Sequence, residues 1–148
     1  MRKMEYHTIV LEGIDKTGKD SLARYIDEVS GHRYVLPRRG VVSNIAYAKL
    51  YGRADFPEYP LDQHSHEVYV LLRCTSKVDW EMRCRLTGEA PISYEKNVAA
   101  FEEVWANFKA SRDSAINLEY DTSHMTLIDI ATDIVKKVDA LNEAVVLI

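Results

Sequence analysis

The chain is poor in several features that mark special classes of protein. It has only two cysteines in 148 residues, Cys74 and Cys84, and their spacing matches neither a metal site nor a redox motif. No apolar run approaches the length needed to cross a membrane, and the first residues lack the apolar core of a secretory signal. We therefore expect two free thiols, no membrane association and a cytoplasmic location.

An excess of basic residues is also missing. The chain has 23 acidic and 19 basic residues, for a net charge of −4. Proteins that bind nucleic acid through its backbone generally carry a basic surface, so this balance makes nucleic acid an unlikely partner but leaves room for a local basic cluster. A length of 148 residues suffices for one globular domain with its own core, and we predict a single domain over 1–148.

The most informative stretch lies near the N-terminus, from Thr8 to Ala23. Apolar residues lead into the pattern Gly13-x-x-x-x-Gly18-Lys19, and apolar residues at helical spacing follow it. Strand, glycine-containing loop and helix in this order are the setting of a phosphate-binding P-loop. The glycines let successive N–H groups turn toward a phosphate, while the lysine and the helix N-terminus supply positive charge. The predicted phosphate-binding residues are Gly13, Ile14, Lys16, Thr17, Gly18, Lys19, Asp20 and Ser21.

One position departs from the P-loop pattern. The residue after the lysine is normally Ser or Thr, whose hydroxyl ligates Mg²⁺, whereas here it is Asp20, followed by Ser21. A carboxylate is a hard oxygen ligand for Mg²⁺, but close to a phosphate it also repels that group. Asp20 and Ser21 are the predicted metal ligands, and the substitution leaves open whether the metal binds in the usual way.

Apolar periodicity predicts alternating strands and helices along the chain. We expect strands at 6–12, 34–37, 67–72 and 115–120, and helices at 19–29, 41–50, 76–86 and 94–111, with a final helix capped by residues 121–123. Such alternation predicts an α/β fold, specifically a three-layer P-loop NTPase fold. Its short, mostly parallel sheet has about four strands and helices on both faces. Ligands in such folds bind at the carboxyl ends of the strands.

Two further segments carry predictions of their own. Residues 51–62 hold two prolines and a glycine and are expected to form a loop that is functional or mobile. The apolar tail 145–148 is expected to pack on the domain or against a partner, such as a second copy in a homodimer.

Several stretches together resemble one enzyme family. Glu12-Gly-Ile-Asp-Lys-Thr-Gly-Lys19 resembles the P-loop of thymidylate kinases and their deoxynucleoside-kinase relatives, and small phage or prophage members look closest. Residues 38–47 resemble that family's Asp-Arg-x-x-x-Ser-x-x-Ala-Tyr segment. The other similar stretches, in order, are 68–72 with 80–89 (strand, helix and arginine-bearing lid), 101–108 and 120–122 (closing elements).

The resemblance implies a reaction and a role for each matching residue. It implies phosphoryl transfer from ATP, with Mg²⁺, to a nucleotide-type acceptor, first of all a deoxynucleoside monophosphate, with a nucleoside or a modified DNA base still open. Lys19 and the loop amides would hold the donor phosphates. Asp15 would face the acceptor's sugar hydroxyl, and Arg39 would contact a phosphate. Arg83 and Arg85, in a lid-like segment of about 83–94, would close over the phosphates. Such catalysis is mostly positioning and charge neutralisation, which suits these residue types.

Two departures from the family pattern leave alternatives open. The family's Asp-Arg pair is Arg38-Arg39 here, and the connection that precedes it is too short for a strand and helix that usually lie there. One alternative is a catalytically degenerate P-loop protein that binds ATP or ADP with little dependence on Mg²⁺. A third hypothesis is an interaction protein on the same scaffold. The arginines at 38, 39, 83 and 85 could also be solvated surface charges.

Other residues have a structural explanation beside the functional one. Glu12 either serves a metal or acceptor or lies at the strand end without such a role, and Tyr47 either stacks on an acceptor base or belongs to the core. Trp80 and Trp105 are expected in the core or an interface. His64 and His66 have a spacing that suits a metal, but no third ligand is apparent, so we expect surface histidines.

Overall fold

The computed structural model describes residues 6–52, 66–88 and 93–146. Most of the predicted loop 51–62, His64, the middle of the lid-like segment and the end of the tail therefore lie outside the described residues. The elements in chain order are β1 (Thr8–Glu12), α1 (Lys19–Ser30), α2 (Val41–Leu50), β2 (Glu67–Arg73), α3 (Lys77–Leu86), α4 (Tyr94–Lys109), a 3₁₀ turn at Ser114–Ile116, β3 (Asn117–Asp121) and α5 (Leu127–Val146).

The sheet is parallel and has β2 at its centre. Its three strands lie in the order β1-β2-β3, with Val10 opposite Tyr69 and Leu71 opposite Glu119. Val68 to Leu72 of β2 are all buried, because helices cover both faces of the sheet. The predicted α/β fold with a parallel sheet between helical layers is confirmed.

The predicted fourth strand, residues 34–37, is only partly formed. Val35 exchanges hydrogen bonds with β1, donating to the His7 carbonyl and accepting from the Ile9 amide, and Leu11 N–H donates to the Pro37 carbonyl at 2.7 Å. A continuous parallel ladder would also need the Pro37 N–H to donate to β1, and proline has none. The described residues therefore contain three strands rather than about four, with 34–37 as a short edge segment beside β1.

The two faces of the sheet are packed by different kinds of side chain. Alternating strand residues point to opposite sides, so Ile9 and Leu11 face one layer and Val10 faces the other. We call the side covered by α1 and α5 the aliphatic face; its helices contribute Leu22, Ile26, Ile130, Ile134 and Val138. We call the side covered by α2, α3 and α4 the aromatic face; its helices contribute Tyr47, Trp80, Phe101, Trp105 and Phe108.

Two smaller expectations can be compared with the structure. Cys74 and Cys84 are both buried thiols with no disulfide between them, as predicted. Among the described residues, no helix has both the length and the apolar character that crossing a membrane requires.

Candidate functional site

The predicted phosphate loop lies between β1 and α1, at the carboxyl end of the sheet. Its first glycine, Gly13, has φ +142°, and a Cβ atom there would lie 2.5 Å from the backbone oxygen of Leu72. Gly18 precedes the first helical residue and is left-handed, with φ +95°. Lys16 is also left-handed, with φ 67°. Both glycines are thus required by backbone geometry, and the first is required by space as well.

Four consecutive carbonyl groups of the loop accept hydrogen bonds from side chains. The Gly13 carbonyl accepts from the Lys19 ammonium, and the Ile14 carbonyl accepts from the Thr17 hydroxyl at 3.0 Å. The Asp15 carbonyl accepts from Trp80 Nε1 at 2.9 Å, and the Lys16 carbonyl accepts from Arg83 Nη1 at 2.9 Å. In a trans peptide the following N–H points opposite to the carbonyl, so these bonds fix the directions of the N–H groups of residues 14–17. Successive N–H groups held in this way can form an anion-binding concavity.

Lys19 brings a partly desolvated positive charge to this loop. Burial lowers the pKa of its ammonium, and the carboxylates of Asp15 and Glu12 oppose that shift. The nearby guanidinium of Arg39 lowers it further. Because burial disfavours the charged form, an anion such as a phosphate beside this ammonium would be strongly favoured.

Glu12 ends β1 beneath the loop and is fully buried. Its carboxylate accepts from the N–H groups of Gly40 at 3.0 Å and Val42 at 2.8 Å, and from both the amide and the hydroxyl of Ser43. Burial raises the pKa of this carboxyl, and the hydrogen bonds oppose the rise. Glu12 thus caps the N-terminus of α2, a structural role, and fixes the backbone that directly follows Arg39.

Asp15, Tyr47 and Arg39 form a cluster on the outer side of the loop. The Tyr47 hydroxyl donates to Asp15 Oδ1 at 3.2 Å, and the Arg39 guanidinium lies 4.7 Å from the centre of the Tyr47 ring. Burial and the Asp15 charge raise the pKa of Tyr47, so its hydroxyl stays protonated and donates. Tyr47 is a core residue as well as a member of this cluster, which agrees with the core interpretation, while stacking on an acceptor base stays a prediction.

One of the two predicted metal ligands, Asp20, faces an arginine. Asp20 is 93% exposed, and its Oδ1 lies 3.4 Å from Arg38 Nε. Among the ranges that the structure describes, no group of three or more His, Cys, Asp or Glu side chains could hold a metal. Mg²⁺ is often bound through one or two carboxylates together with phosphate oxygens and waters, but this carboxylate already faces a guanidinium. Asp20, facing Arg38 in this way, is not arranged as a ligand for a divalent cation, and Mg²⁺ with Asp20 and Ser21 as its ligands stays a prediction.

The two predicted lid arginines lie in different surroundings on α3. Arg83 donates to the Lys16 carbonyl and to the Thr122 hydroxyl, so it joins the phosphate loop to the residue that follows β3. Arg85 is exposed. Residues 89–92 of the predicted lid lie outside the described residues, and closure of this segment over phosphates stays a prediction.

A cavity of about 270 Å³ adjoins the first residues of the loop. It lies between the end of β2 and α4, and its apolar lining includes Ile14, Leu72, Tyr94, Val98 and Phe101. Arg73 and Glu102 also line it, and they are paired with each other at 2.7 Å. The volume is close to that of the smaller ligand pockets of proteins.

Trp80 is the site residue whose function the sequence analysis missed. It is 1% exposed, which agrees with the predicted core position, yet its indole N–H supports the loop. A signal was present, because a buried tryptophan usually needs a hydrogen-bond acceptor. Trp80 also precedes Arg83 by three residues, a spacing that places both on one side of a helix.

Comparison with known proteins adds a structural likeness to this geometry. Neither a protein-family model nor a curated protein matches the sequence. Among solved structures, the fold is similar to that of the YorR protein of Bacillus subtilis, whose crystal structure contains phosphorylated GDP. The TM-score is 0.72 over 92% of this chain and 98% of YorR, and the two sequences are 20% identical. The chain therefore has the α/β fold of a protein that was crystallised with a nucleotide.

Proposed function

We propose that this chain binds a nucleotide through its phosphates and transfers the γ-phosphate of ATP to a nucleotide-type acceptor. The observation that carries the proposal is the row of four loop carbonyls bonded to side chains, beside the desolvated ammonium of Lys19. That arrangement provides directed N–H donors and a cation, which are the groups that hold polyphosphates. The nucleotide in the similarly folded YorR structure supports this choice of ligand.

Phosphoryl transfer is the reaction that these residue types suit best. It requires positioning and neutralisation of charge rather than a protein nucleophile. Lys19 would hold the donor phosphates, Arg39 would contact the transferred or acceptor phosphate, and Asp15 would accept a proton or hydrogen bond from the acceptor hydroxyl. Any Mg²⁺ would arrive on the phosphate oxygens of ATP rather than at a preformed protein site.

The proposed acceptor is a deoxynucleoside monophosphate. Arginine recognises phosphate well because its planar guanidinium donates two parallel hydrogen bonds, and Arg39 lies next to the loop. The apolar cavity against Ile14 and Phe101 offers a place for the acceptor's base. A nucleoside or a modified base in DNA would use the same cavity, and its binding would depend less on contact between Arg39 and an acceptor phosphate.

The direct test is transfer of labelled γ-phosphate from ATP to nucleosides, deoxynucleoside monophosphates and short DNA. We expect a labelled deoxynucleoside diphosphate from the wild type and at least about 100-fold less from Lys19→Ala, by analogy with the loss of one charge-stabilising group in other active sites. Lys137→Ala serves as the control, since Lys137 is exposed on α5 and pairs with Asp133. Equal activity of Lys19→Ala and the wild type would contradict the proposal.

A second candidate function is nucleotide binding without turnover. The specific observation in its favour is the contact between Asp20 and Arg38, which leaves no free carboxylate where the predicted metal would bind. This candidate predicts no labelled product with any acceptor, while calorimetry still detects ATP or ADP binding that Lys19→Ala abolishes. Product formation that depends on Lys19 would exclude it.

A further inference from the structure

The two positions at which the sequence departs from the P-loop kinase pattern touch each other. Asp20 lies in the first turn of α1, directly after Lys19, and Arg38 follows the edge segment 34–37. Arg38 Nε lies 3.4 Å from Asp20 Oδ1, and Arg38 Nη1 donates to the Leu36 carbonyl at 3.3 Å. The guanidinium is thus held beside the phosphate loop by one side chain and one backbone group.

This ion pair has little to contribute to the fold. Asp20 is 93% exposed and Arg38 is 54% exposed, and pairs of such exposure generally add little to stability. Its position is more informative than its strength, because the residue after the P-loop lysine normally provides the oxygen that holds a divalent cation against the phosphates. A guanidinium therefore faces the side chain that stands in the place of this oxygen ligand.

The negative charge of Asp20 and the positive charge of Arg38 also compensate each other. A lone carboxylate at position 20 would repel bound phosphates, and the adjacent positive charge cancels that repulsion. Arginine is in addition a direct phosphate ligand that binds two oxygens at once, as the cation itself does when it bridges two phosphates. Charge balance and phosphate recognition both point to Arg38 as a replacement for the metal.

We propose that Arg38, anchored on Asp20, takes the place of the divalent cation beside the nucleotide phosphates, so that nucleotide binding does not require Mg²⁺. This inference rests on the proposed function, because it needs a nucleotide whose phosphates lie in the loop. It concerns binding and not turnover. Arg38 acts here as a phosphate ligand, and Asp20 acts as its positioning residue.

Calorimetric titration of ADP and ATP, with excess Mg²⁺ and with a chelator, tests the inference. For the wild type we expect dissociation constants that agree within about threefold between the two conditions. For Arg38→Gln we expect affinity to fall about tenfold or more with the chelator and to recover with Mg²⁺, because Asp20 is then free to bind the metal. The double variant Asp20→Ser/Arg38→Gln restores a hydroxyl after Lys19 and should likewise bind nucleotide only with Mg²⁺.

Arg24→Gln is the matched control. Arg24 is an exposed arginine on α1 that lines the same groove as Asp20 and Arg38, so its replacement removes the same charge without the contact to Asp20. It should bind nucleotide like the wild type in both conditions. The three substituted positions, 20, 24 and 38, are all exposed, and urea midpoints would verify that each variant is folded.

The outcomes separate the two proposals. Wild-type binding that is more than about tenfold tighter with Mg²⁺, together with equal affinities of Arg38→Gln and Arg24→Gln in the chelator, would overturn the role of Arg38 and leave the proposed function standing. Failure of the wild type to bind any nucleotide in either condition would overturn both. Metal-independent binding that Arg38→Gln and the double variant lose, and that Arg24→Gln keeps, would support the role of Arg38 and the nucleotide binding on which it rests.

Discussion

On the aromatic face, core side chains also hydrogen-bond to the phosphate loop, whereas the aliphatic face is packed mostly by side chains without polar atoms. On the aliphatic face, residues such as Ile26, Ile134 and Val138 are fully buried and have no polar atoms, so they contribute through burial alone. On the aromatic face, Trp80 and Tyr47 are equally part of the core, yet their polar atoms reach Asp15 in the loop. Amphipathic aromatic side chains thus let one layer fill space and orient the site together.

The largest effect should come from a cavity in the aliphatic face. We expect Ile134→Ala to lower the free energy of unfolding by about 2–5 kcal/mol, because it removes fully buried methyl groups and leaves a void. Nucleotide affinity of the folded protein should stay within about twofold of the wild type, since no polar group of the site changes. Urea denaturation and calorimetry at a temperature where the variant is folded measure the two quantities. A large loss of affinity in the folded variant would show that this face also shapes the site.

A pair of tryptophan variants sharpens the comparison within the aromatic face. We expect Trp80→Phe to cost about 1–3 kcal/mol of stability beyond the matched Trp105→Phe, because it leaves the Asp15 carbonyl without its donor. Trp105 is a suitable control since it is also 1% exposed, and its Nε1 has no hydrogen-bond partner among the described residues. Both variants lose similar volume, so the difference reports the hydrogen bond of Trp80 together with the removal of the unpaired N–H of Trp105.

The same pair separates effects on stability from effects on binding. Trp80→Phe should also weaken ADP binding, since the direction of the Lys16 amide depends on the Asp15 carbonyl. Trp105→Phe should leave ADP affinity unchanged. Equal ADP affinities for the two variants would contradict the role that we assign to the indole of Trp80.

The smallest expected effect lies at the margin of the aliphatic face, where Asp139 of α5 holds the edge segment. Its carboxylate accepts from Arg33 at 2.8 and 2.9 Å and from the Tyr34 hydroxyl. The hydrogen bond from Arg33, more than any other contact, lowers the pKa of Asp139 below its usual 3.8. The contribution to stability is therefore present above pH 3.8 and is lost as the pH falls through the lower folded-state pKa.

We expect Asp139→Asn to cost less than about 1 kcal/mol at neutral pH, because Arg33 is half exposed and the pair is screened by solvent. The difference between variant and wild type should shrink as the pH falls below 3.8. Urea denaturation across this pH range measures it, with Glu143→Gln on the exposed side of α5 as the control. A difference that stays constant down to the lowest pH would contradict the assignment.

Much of the fold was predictable because local patterns determine it. The buried run of β2 and the repeat of α5 follow directly from apolar spacing, and the helix predicted at 41–50 has those bounds in the structure. The shortened edge segment was partly foreseen, since Pro37 was expected at a strand end and its missing N–H interrupts the ladder. Local chemistry therefore explains both the strands that form and the one that does not.

The start of α5 was predicted wrongly for a reason that local sequence does not reveal. Residues 121–123 were expected to cap this helix, but the hydroxyl of Thr126 accepts from the Asp129 amide instead. Asp121 and Ser123 are used elsewhere, accepting from the amides of Thr75 and Ser76 at 3.2 and 2.9 Å. These partners are 46 and 47 residues away in the chain, so only the folded structure brings them together.

In the candidate site, too, some features follow from neighbouring residues and others from contacts between residues far apart in the sequence. The glycines and Lys19 of the loop are recognisable because each serves a local backbone or charge requirement. The contact between Asp20 and Arg38 joins residues that the sequence marked separately as departures. Local sequence does not identify the partners of Glu12 and Trp80, because the carboxylate of Glu12 bonds to the start of α2 and the indole of Trp80 reaches from α3 to the loop.

The donors to the Asp15 and Lys16 carbonyls make the geometry of the phosphate loop depend on a distant part of the sequence. Trp80 and Arg83 are 65 and 67 residues from the carbonyls that they hold. A fragment that ended with α1 would carry the complete glycine-lysine motif and neither of these donors. Transfer of the glycine-lysine motif alone to another protein would therefore not transfer the loop's geometry. A substitution in α3 that removed these donors would weaken phosphate binding in a homologue whose motif is still intact.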